Sequence, residues 1–457
     1  MSENAPESAG NIVKFQISSN FKDYAVDLSA GVVDFRYYEN VLANNVTASA
    51  TVVETGYQED GSGGAGGKQS TVDGLPIRGG ERTDITIEDA YGNELTLEEG
   101  LYVNRLRDVD PGTSQDVYFL DFASKEFFAN EQTRVVKRYE GNIGDNVEKI
   151  LKDVLKVEAD IEIDNTGAPY NFIGNDKKPF YVCTWLASKS IPESDKGSKA
   201  GYLFFQTRDG FHFKSIDKIL GSEAKKKYIF NNSTKLPDGF DAKILTCEIN
   251  SDVDVGKNLM MGMYNNRSIF FDPVFFNYEV RSFPEPEKPQ TEGQIIDEEK
   301  TPPPPSSEDY VEKTEIAGSD PASELIAKEF RQSPTRLMSF VLDTGVMPSG
   351  LTSQEQLDAW NQEKSKTNFD IRDTVVQSIM RYNQLFTVKT DITIPGDFTI
   401  KAGDVIECSF PALSGGESEE INSETKGKYM VASVCHRVTP DSSTTSLSLV
   451  RDSFGGK

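Results

Sequence analysis

The chain has 457 residues, which at roughly 150 residues per domain allows about three domains, each able to bury its own core. Apolar residues make up 37% and aromatics 10%, too rich in core-forming side chains for a disordered protein. The formal charge of −25, from 73 acidic against 48 basic residues, disfavours non-specific attraction to nucleic acid or to an anionic membrane.

The opening "MSENAPESAGN" has neither a basic start nor an apolar core, so no signal peptide is expected there, and synthesis and folding in a cytoplasm are. No run approaches the ~18 apolar residues of a membrane span. From Val13 short alternating strands follow one another, "VKFQIS", "YAVDL", "VVDFRYY", "VTASATVVET", "DITIED", "LTLEEGLYVNRLRDV" and "DVYFLDFAS". They predict a β-barrel or sandwich over residues 12–125, interrupted by a Gly-rich loop at 60–70. "IGDNVEKILKDVLKV" then predicts a helix with Ile143, Val147, Ile150, Leu151, Val154 and Leu155 on one face. Asp145 and Glu148 have capping-box spacing and mark its expected start. Pro179 is expected to open a second helix in "PFYVCTWLASKSI". With the hairpin that follows, residues 126–245 read as an inserted α+β domain.

Strands resume at "DAKILTCEINSD" and "MMGMYNNRSIFFDP", placing 246–283 with a second barrel completed by 366–453. Between them, 284–365 opens with a Pro-rich acidic stretch containing four consecutive prolines, a polyproline II spacer on the surface. Short helices are expected after it, one with Asp320 and Pro321 as N-cap and first turn, another in "SQEQLDAWNQEKSK". A stronger helix, "DIRDTVVQSIMRYNQ", aligns Ile371, Val375 and Ile379. Beyond it Phe386, Val388, Ile392 and Ile394 alternate, and turns at Pro395-Gly396-Asp397 and Gly403-Asp404 lead into three further strands. The fold class is α+β and mainly β: two barrels, an inserted α+β domain and a Pro-rich, helical insertion.

Candidate chemistry is sparse. In "GYLFFQTRDGFHFKSID" one of the two histidines, His212, stands near Asp209 and Ser215, an apparent Ser–His–Asp set. Asp209-Gly210 is however a type I′ turn signal, which predicts the pairs Arg208–Phe211, Thr207–His212 and Gln206–Phe213. Tyr202, Phe204, Phe211 and Phe213 then share one face, with His212 on the other and Ser215 turned away from it. His436, inside the last β-meander, reads as a satisfied structural histidine. "GSGGAG" at 61–66 matches a dinucleotide fingerprint in letters only, having no strand before it or helix after it. Lys68 makes no P-loop, because Ser62 replaces a required glycine and Gln69 a required Ser or Thr. "DVDVG" at 252–256 lacks the third ligand of a calcium loop, and its valines alternate as in a strand. Cys183, Cys247, Cys408 and Cys435 sit far apart in apolar runs, as small buried hydrophobes in a reducing compartment. No catalytic residue, cofactor or metal ligand is singled out.

The C-terminal run "MRYNQLFTVKTDITIPGDFTIKAGDVIECSFPAL", then "GKYMVASVCHRVTPDSSTTSLSLVRDS", resembles the second tube-like domain of baseplate hub proteins of contractile-tailed, myovirus-type bacteriophages. The resemblance covers 372–452; "LSAGVVDFRYYENVLANNVTASATVVET" looks like that family's first barrel and "MGMYNNRSIFFDP" like its mid-chain strand pair. It implies two tail-tube-like barrels side by side in a homotrimer, so that three chains imitate a sixfold ring. It implies a structural virion protein at the tail baseplate, with the tail spike, the tube or its initiator and neighbouring baseplate proteins as partners. DNA would pass through a central channel without specific binding, and a surplus of carboxylates facing that channel is expected to repel phosphates within a Debye length of ~8 Å. The insertion at 284–365 and the Gly-rich loop depart from the family pattern and are expected outside, the insertion reaching a neighbouring protein. A tail-associated cell-wall hydrolase, a receptor-binding tail protein and a non-phage injection machine built on similar barrels stay open as alternatives.

Overall fold

The structure, a computed structural model, describes residues 10–21, 23–54, 71–111, 115–167, 169–193, 200–231, 235–250, 254–263, 266–273, 276–283, 320–321, 336–342, 371–411, 421–422 and 425–454. The Gly-rich loop with "GSGGAG", Ser62, Lys68 and Gln69, the run of four prolines, and the helices expected in "ASELIAKEF" and "SQEQLDAWNQEKSK" lie outside these residues.

The first barrel is built from β1 (Asn11–Ser18), β2 (Ala25–Asp27), β3 (Val32–Asn40), β4 (Thr47–Glu54), β5 (Arg82–Glu88), β6 (Glu94–Pro111) and β7 (Asp116–Ser124), with the short helix α1 (Thr71–Gly74) after β4. The strands run in the order β3-β4-β7-β6-β5-β1-β2, every pair antiparallel. The segment from β2 into β3 closes the ring: Leu28 donates its N–H to the Phe15 carbonyl at 2.7 Å, and Gly31 accepts from Val53 N–H at 2.8 Å. Alternation sends Phe15, Phe35 and Phe122 inward, where Phe15 meets the other two edge-on at 6.0 and 5.9 Å. Each such ring contributes roughly 1.5–3 kcal/mol by leaving water.

Next come α2 (Lys125–Gln132), β8 (Arg138–Tyr139), α3 (Ile143–Lys149), β9 (Asp160–Ile163), β10 (Phe172–Ile173), α4 (Pro179–Ala187), β11 (Tyr202–Thr207), β12 (Gly210–Ser215) and α5 (Ile216–Leu220). Helix α3 starts two residues before the expected Asp145, because the Thr166 hydroxyl accepts the Gly144 N–H at 2.9 Å and supplies the cap from a distant loop. It continues as one π turn, Ile150–Val154. Ile143, Val147, Ile150 and Leu151 are buried together with α4 and with Tyr202, Phe204, Phe211 and Phe213.

The second barrel comprises β13 (Lys227–Ile229), β14 (Ala242–Lys243), β15 (Thr246–Asn250), β20 (Val388–Pro395), β21 (Val405–Ser409), β22 (Gly427–Val438) and β23 (Ser443–Arg451). Its order is β15-β20-β23-β22-β21-β13-β14. The chain from β14 into β15 closes this ring as well: Ile244 donates to Ile229 O at 2.9 Å and Leu245 to Thr393 O at 2.7 Å. Taken in chain order, its strands repeat the ring positions of the first barrel, β15 matching β3, β20 β4, β23 β7, β22 β6, β21 β5 and β13 β1. Only β13 differs in sense, being parallel to β21 where β1 is antiparallel to β5.

Between β15 and β20 lie α6 (Val255–Met261), β16 (Asn266–Asp272), β17 (Asn277–Phe283), β18 (Asp320–Pro321), β19 (Arg336–Val341) and α7 (Ile371–Gln384); β24 (Ser453–Phe454) ends the described chain. Several strands are placed differently from expectation. β16 and β17 form a separate sheet with β19 instead of joining the second barrel, since Phe270 is buried against Val376 and Met380 of α7. β13 and β14 enter the barrel sheet and not the inserted domain. Asp320 and Pro321 are themselves strand, pairing antiparallel with β24. Nor does Val255 of "DVDVG" continue a strand: Asp254 caps α6, its carboxylate accepting the Lys257 N–H at 2.8 Å, and Val255 is helical, while Asp252 and Val253 lie outside the described residues. Helix α7 forms where its periodicity predicts it. Its Arg381 is fully buried between Asp217 (3.0 Å from Nε) and Asp452 (2.7 Å from Nη1), and the Tyr382 hydroxyl donates to Tyr202 O at 2.5 Å. These bonds lock the inserted domain to the second barrel.

Candidate functional site: the junction of the two barrels

β22 is longer than its own barrel requires. One side pairs with β23 from Met430 to Val438; the other is shared, residues 427–430 going to β21 and 433–438 to β3 of the first barrel. The antiparallel β3–β22 ladder, Phe35 opposite Val438 to Asn40 opposite Ser433, fuses the barrels into one sheet. Eight strands then run without a break, β15-β20-β23-β22-β3-β4-β7-β6.

Behind this ladder three parts of the chain converge on Glu39. β3 sends Phe35, Tyr37 and Glu39 inward, so the carboxylate is buried. It accepts the Arg208 N–H (2.8 Å), the Ala402 N–H (2.8 Å) and the Tyr37 hydroxyl (3.1 Å). Burial raises its carboxyl above the ordinary range, against the pull of those donors. Arg208, at the tip of the β11–β12 hairpin, donates to Phe398 O and, at 3.1 Å, to Thr399 O. These carbonyls lie in the 395–401 loop, whose Phe398 side chain plugs the core of the other barrel and whose backbone N–H reaches Asp89 at 2.9 Å. Asp397 accepts from Lys226 (2.5 Å), Tyr228 (3.1 Å) and Thr399, and burial of its carboxyl is outweighed by these partners, which hold it below the usual range.

The two glycines of the sequence motifs have steric reasons. A side chain on Gly396 would collide with Ser443, and Gly403 has φ +86° with Phe205 2.9 Å from where a Cβ would stand. Phe205 and Leu203 belong to the second barrel's core, whereas the opposite face of the same hairpin belongs to the inserted domain.

Neither histidine is placed for catalysis. His436 is buried, donating from Nε2 to Ile400 O (3.0 Å) and accepting at Nδ1 from the Thr445 hydroxyl (3.0 Å), with Tyr37 stacked alongside. Burial and the nearby Arg208 push its pKa down to about 3, so it stays neutral. His212 likewise has both nitrogens engaged, Nδ1 with Glu162 (3.1 Å) and Nε2 with the Thr207 hydroxyl (2.8 Å). The acid is therefore Glu162 and the hydroxyl Thr207, not Asp209 and Ser215. Asp209 holds Lys401 at 2.6 Å, while Ser215 faces the other side of the sheet. Thr207 is only 2% exposed and His212 5%, which bars a substrate from this line.

The hairpin turn sits one residue earlier than expected, so each residue of β12 meets a partner two places earlier in β11. Thr207 opposes Gly210, Phe205 opposes His212, and the turn is Arg208–Asp209. Gly210 is drawn into the strand, at φ +132°, because β12 lies parallel to β9 and the Asp160 backbone occupies the place of a side chain. Since both strands keep their phase, the four aromatics still share a face.

The outward side of the eight-stranded sheet is rich in small hydroxyls: Thr47, Ser49, Thr51, Ser433, Thr444, Ser446 and Ser448. A groove of about 510 Å³ runs over the junction here, lined by Tyr38, Glu248, Asp391, Thr393, Cys435 and Ser446 among others. Asp34, Asp110, Asp121, Glu248 and Asp391 are matched by Arg36, Arg105, Arg107, Lys389 and Arg437 among the described residues. Asp34 bridges Arg36 (2.7 Å) and Arg437 (3.0 Å) across the two barrels, and the two guanidiniums outweigh its burial to hold its carboxyl below the usual range. Of the four free cysteines, Cys183 and Cys408 are buried and Cys247 and Cys435 half-buried. Among the described residues no cluster of three metal-ligating side chains occurs, and no helix is long and apolar enough to cross a membrane.

No family model and no curated protein matches the chain. Solved structures similar to it include the tail protein from Neisseria meningitidis MC58, at 10% identity and TM-score 0.49 over 97% of each chain. The 43 kDa tail protein of prophage MuSo2 from Shewanella oneidensis is similar at 9% and 0.48, over 96% of this chain and 98% of that one. A component of the E. coli type VI secretion system, described as structurally similar to the T4 bacteriophage tail proteins gp27 and gp5, is similar at 7% and 0.40, over 96% and 76%.

Proposed function

We propose that the chain is a structural hub of a phage tail baseplate, three copies of which join a sixfold tail tube to a threefold central spike. The observation that carries this reading is the duplicated strand order together with the β3–β22 ladder: one polypeptide holds two barrels of the same ring order, edge to edge in one sheet. Two like units per chain give three chains six positions around an axis, which is what a tube-to-spike adaptor needs. The junction is built for rigidity: Ala402 N–H to Glu39, Phe398 N–H to Asp89 and Arg437 to Asp34 tie one barrel to the other, and among the described residues it presents no accessible acid, base or nucleophile in a catalytic arrangement.

The outward side of the eight-stranded sheet then lines the channel. Its hydroxyls and balanced charges leave passing DNA neither held nor driven off, because sequence-independent DNA binding requires a surplus of Lys and Arg facing the phosphates. Transit without specific binding follows from neutrality and not from repulsion. The tail spike, the tube or its initiator and neighbouring baseplate proteins are the partners, and the tail baseplate of the virion is the location. Light scattering of the purified chain, alone and with its spike protein, tests the reading: a mass of three chains supports it, and a monomer under both conditions refutes it. A peptidoglycan-release assay is expected to give no fragments.

A further inference from the structure

The three-stranded sheet β17-β16-β19 has its polarity reversed. On β16 the buried face carries Asn266, Ser268, Phe270 and Asp272. Asn266 and Ser268 are fully buried, and among the described residues neither amide atom of Asn266 nor the Ser268 hydroxyl has a hydrogen-bond partner. The opposite face is apolar and open: Leu337, Val341 and Tyr278 are 66%, 69% and 72% exposed, with Phe271 and Val280 beside them in the ladders. A polar group buried without a partner opposes docking, and apolar side chains left in water contribute nothing to it. Among the described residues a single apolar contact holds the sheet to α7, Phe270 on Val376 and Met380 with Phe340 and Leu342 at its margin.

Polar ties sit at the two ends of that contact. At one end the Met261 carbonyl accepts from Arg336 of β19 (2.7 Å) and from Asn383 of α7 (2.9 Å), next to Gly262, whose φ of +72° ends α6 shortly before β16. At the other end Glu279 of β17, opposite Phe270, pairs with Arg281 and with Arg372 in the first turn of α7, and these side chains are partly exposed to water. Helix α7 does not depend on the sheet for its own place. Arg381, Tyr382 and Gln377 bind it to the inserted domain and the second barrel.

We propose that this sheet is a flap, which swings off α7 as a unit about its Met261–Gly262 end while the barrels and the inserted domain stay closed, with Glu279–Arg372 as the latch. Opening returns Asn266 and Ser268 to water, which supplies the hydrogen bonds that closure denies them, and uncovers the Val376–Met380 stripe of α7. Because the latch is an ion pair within reach of solvent, salt favours the open form. The proposal stands apart from the hub reading.

The full-length chain carries its own references for the test, since Cys183 and Cys408 are free thiols fully buried in the inserted domain and the second barrel. In Val376→Cys, with Cys247 and Cys435 replaced by serine, alkylation by iodoacetamide is followed site by site by mass spectrometry, each rate being divided by the rate in urea. The thiol at position 376 is expected to react on the order of 100-fold faster than Cys183 and Cys408. Adding Asn266→Leu, which removes the unpaired amide, is expected to slow it about tenfold. High salt or Arg372→Met is expected to speed it about two- to fivefold. Slow rates at Cys183 and Cys408 in the same molecules show that each variant is folded. A thiol at 376 as protected as Cys408 overturns the flap, and so does acceleration by Asn266→Leu, which would mean that the closed form satisfies the amide; a rate indifferent to both salt and Arg372→Met overturns the latch.

Discussion

The first barrel closes with little between its strands, whereas the second carries a helix pair and a separate three-stranded sheet between β15 and β20 and reverses one strand, β13. The ring order is nevertheless the same in both. What the two hold in common is therefore the long-stranded side, β3-β4-β7-β6 and β15-β20-β23-β22, and what they do not is the back. The long-stranded side carries the β3–β22 ladder that joins the barrels, and the insertion between β15 and β20 leaves their pairing unbroken; the reversed strand, β13, lies on the back. The barrels are also unequal at their shared seam. The first offers the carboxylates of Glu39 and Asp89 as acceptors, while the second reaches across with Phe398.

That inequality can be broken most severely at Phe398. Phe398→Ala is expected to cost about 3–5 kcal/mol and to be felt by the first barrel, in whose core the ring lies, although the residue belongs to the second. A urea melt followed by a probe in each barrel checks this: the substitution should separate two transitions that coincide in the original chain. Arg208→Met is expected to cost roughly 1–3 kcal/mol by leaving the Phe398 and Thr399 carbonyls without their donor, with Arg208→Lys failing to restore it because one ammonium lacks the fork.

His436 sharpens the comparison through pH. Its folded-state pKa of about 3 lies below the ordinary 6.5, so between those values the unfolded chain binds a proton that the folded chain refuses. Stability then falls as pH falls, approaching a tenfold change in the folding constant per pH unit. The raised carboxyl of Glu39 has the opposite sign: it takes up its proton in the folded state first and offsets part of the loss. His436→Gln should flatten the decline between pH 6.5 and 4 in thermal melts, while keeping a donor for Ile400 O. The smallest effect is expected at Asp34, whose arginine partners are more than 40% exposed; Asp34→Asn should cost less than ~1 kcal/mol and become neutral in high salt.

Much of the fold was legible in the chain. Alternation marked most strands, the 3.6 period marked α7, and the phase of "GYLFFQT" and "GFHFKSI" assigned the aromatic face correctly even though the register slipped. The slip came from a partner the local sequence does not name, the Asp160 backbone against Gly210. The junction was opaque for the same reason: Glu39 meets its donors at sequence separations of 169 and 363 residues. A signal was present, because Glu39 continues the inward phase of Phe35 and Tyr37, and His436 that of Val434 and Val438. A charged or ionisable group on the apolar phase of a strand announces a buried partner without saying which. The charge balance on the outward face of the eight-stranded sheet was opaque as well, because a total of −25 carries no information about which acids share a face.

The central claim is that one chain places two like barrels around a common axis. Electron-microscopy class averages of the chain assembled with its spike protein, viewed down that axis, test it most directly. Six lobes of equal radius with a mass of three chains is the expected image; three lobes, or paired lobes of which one points away from the centre, would contradict it.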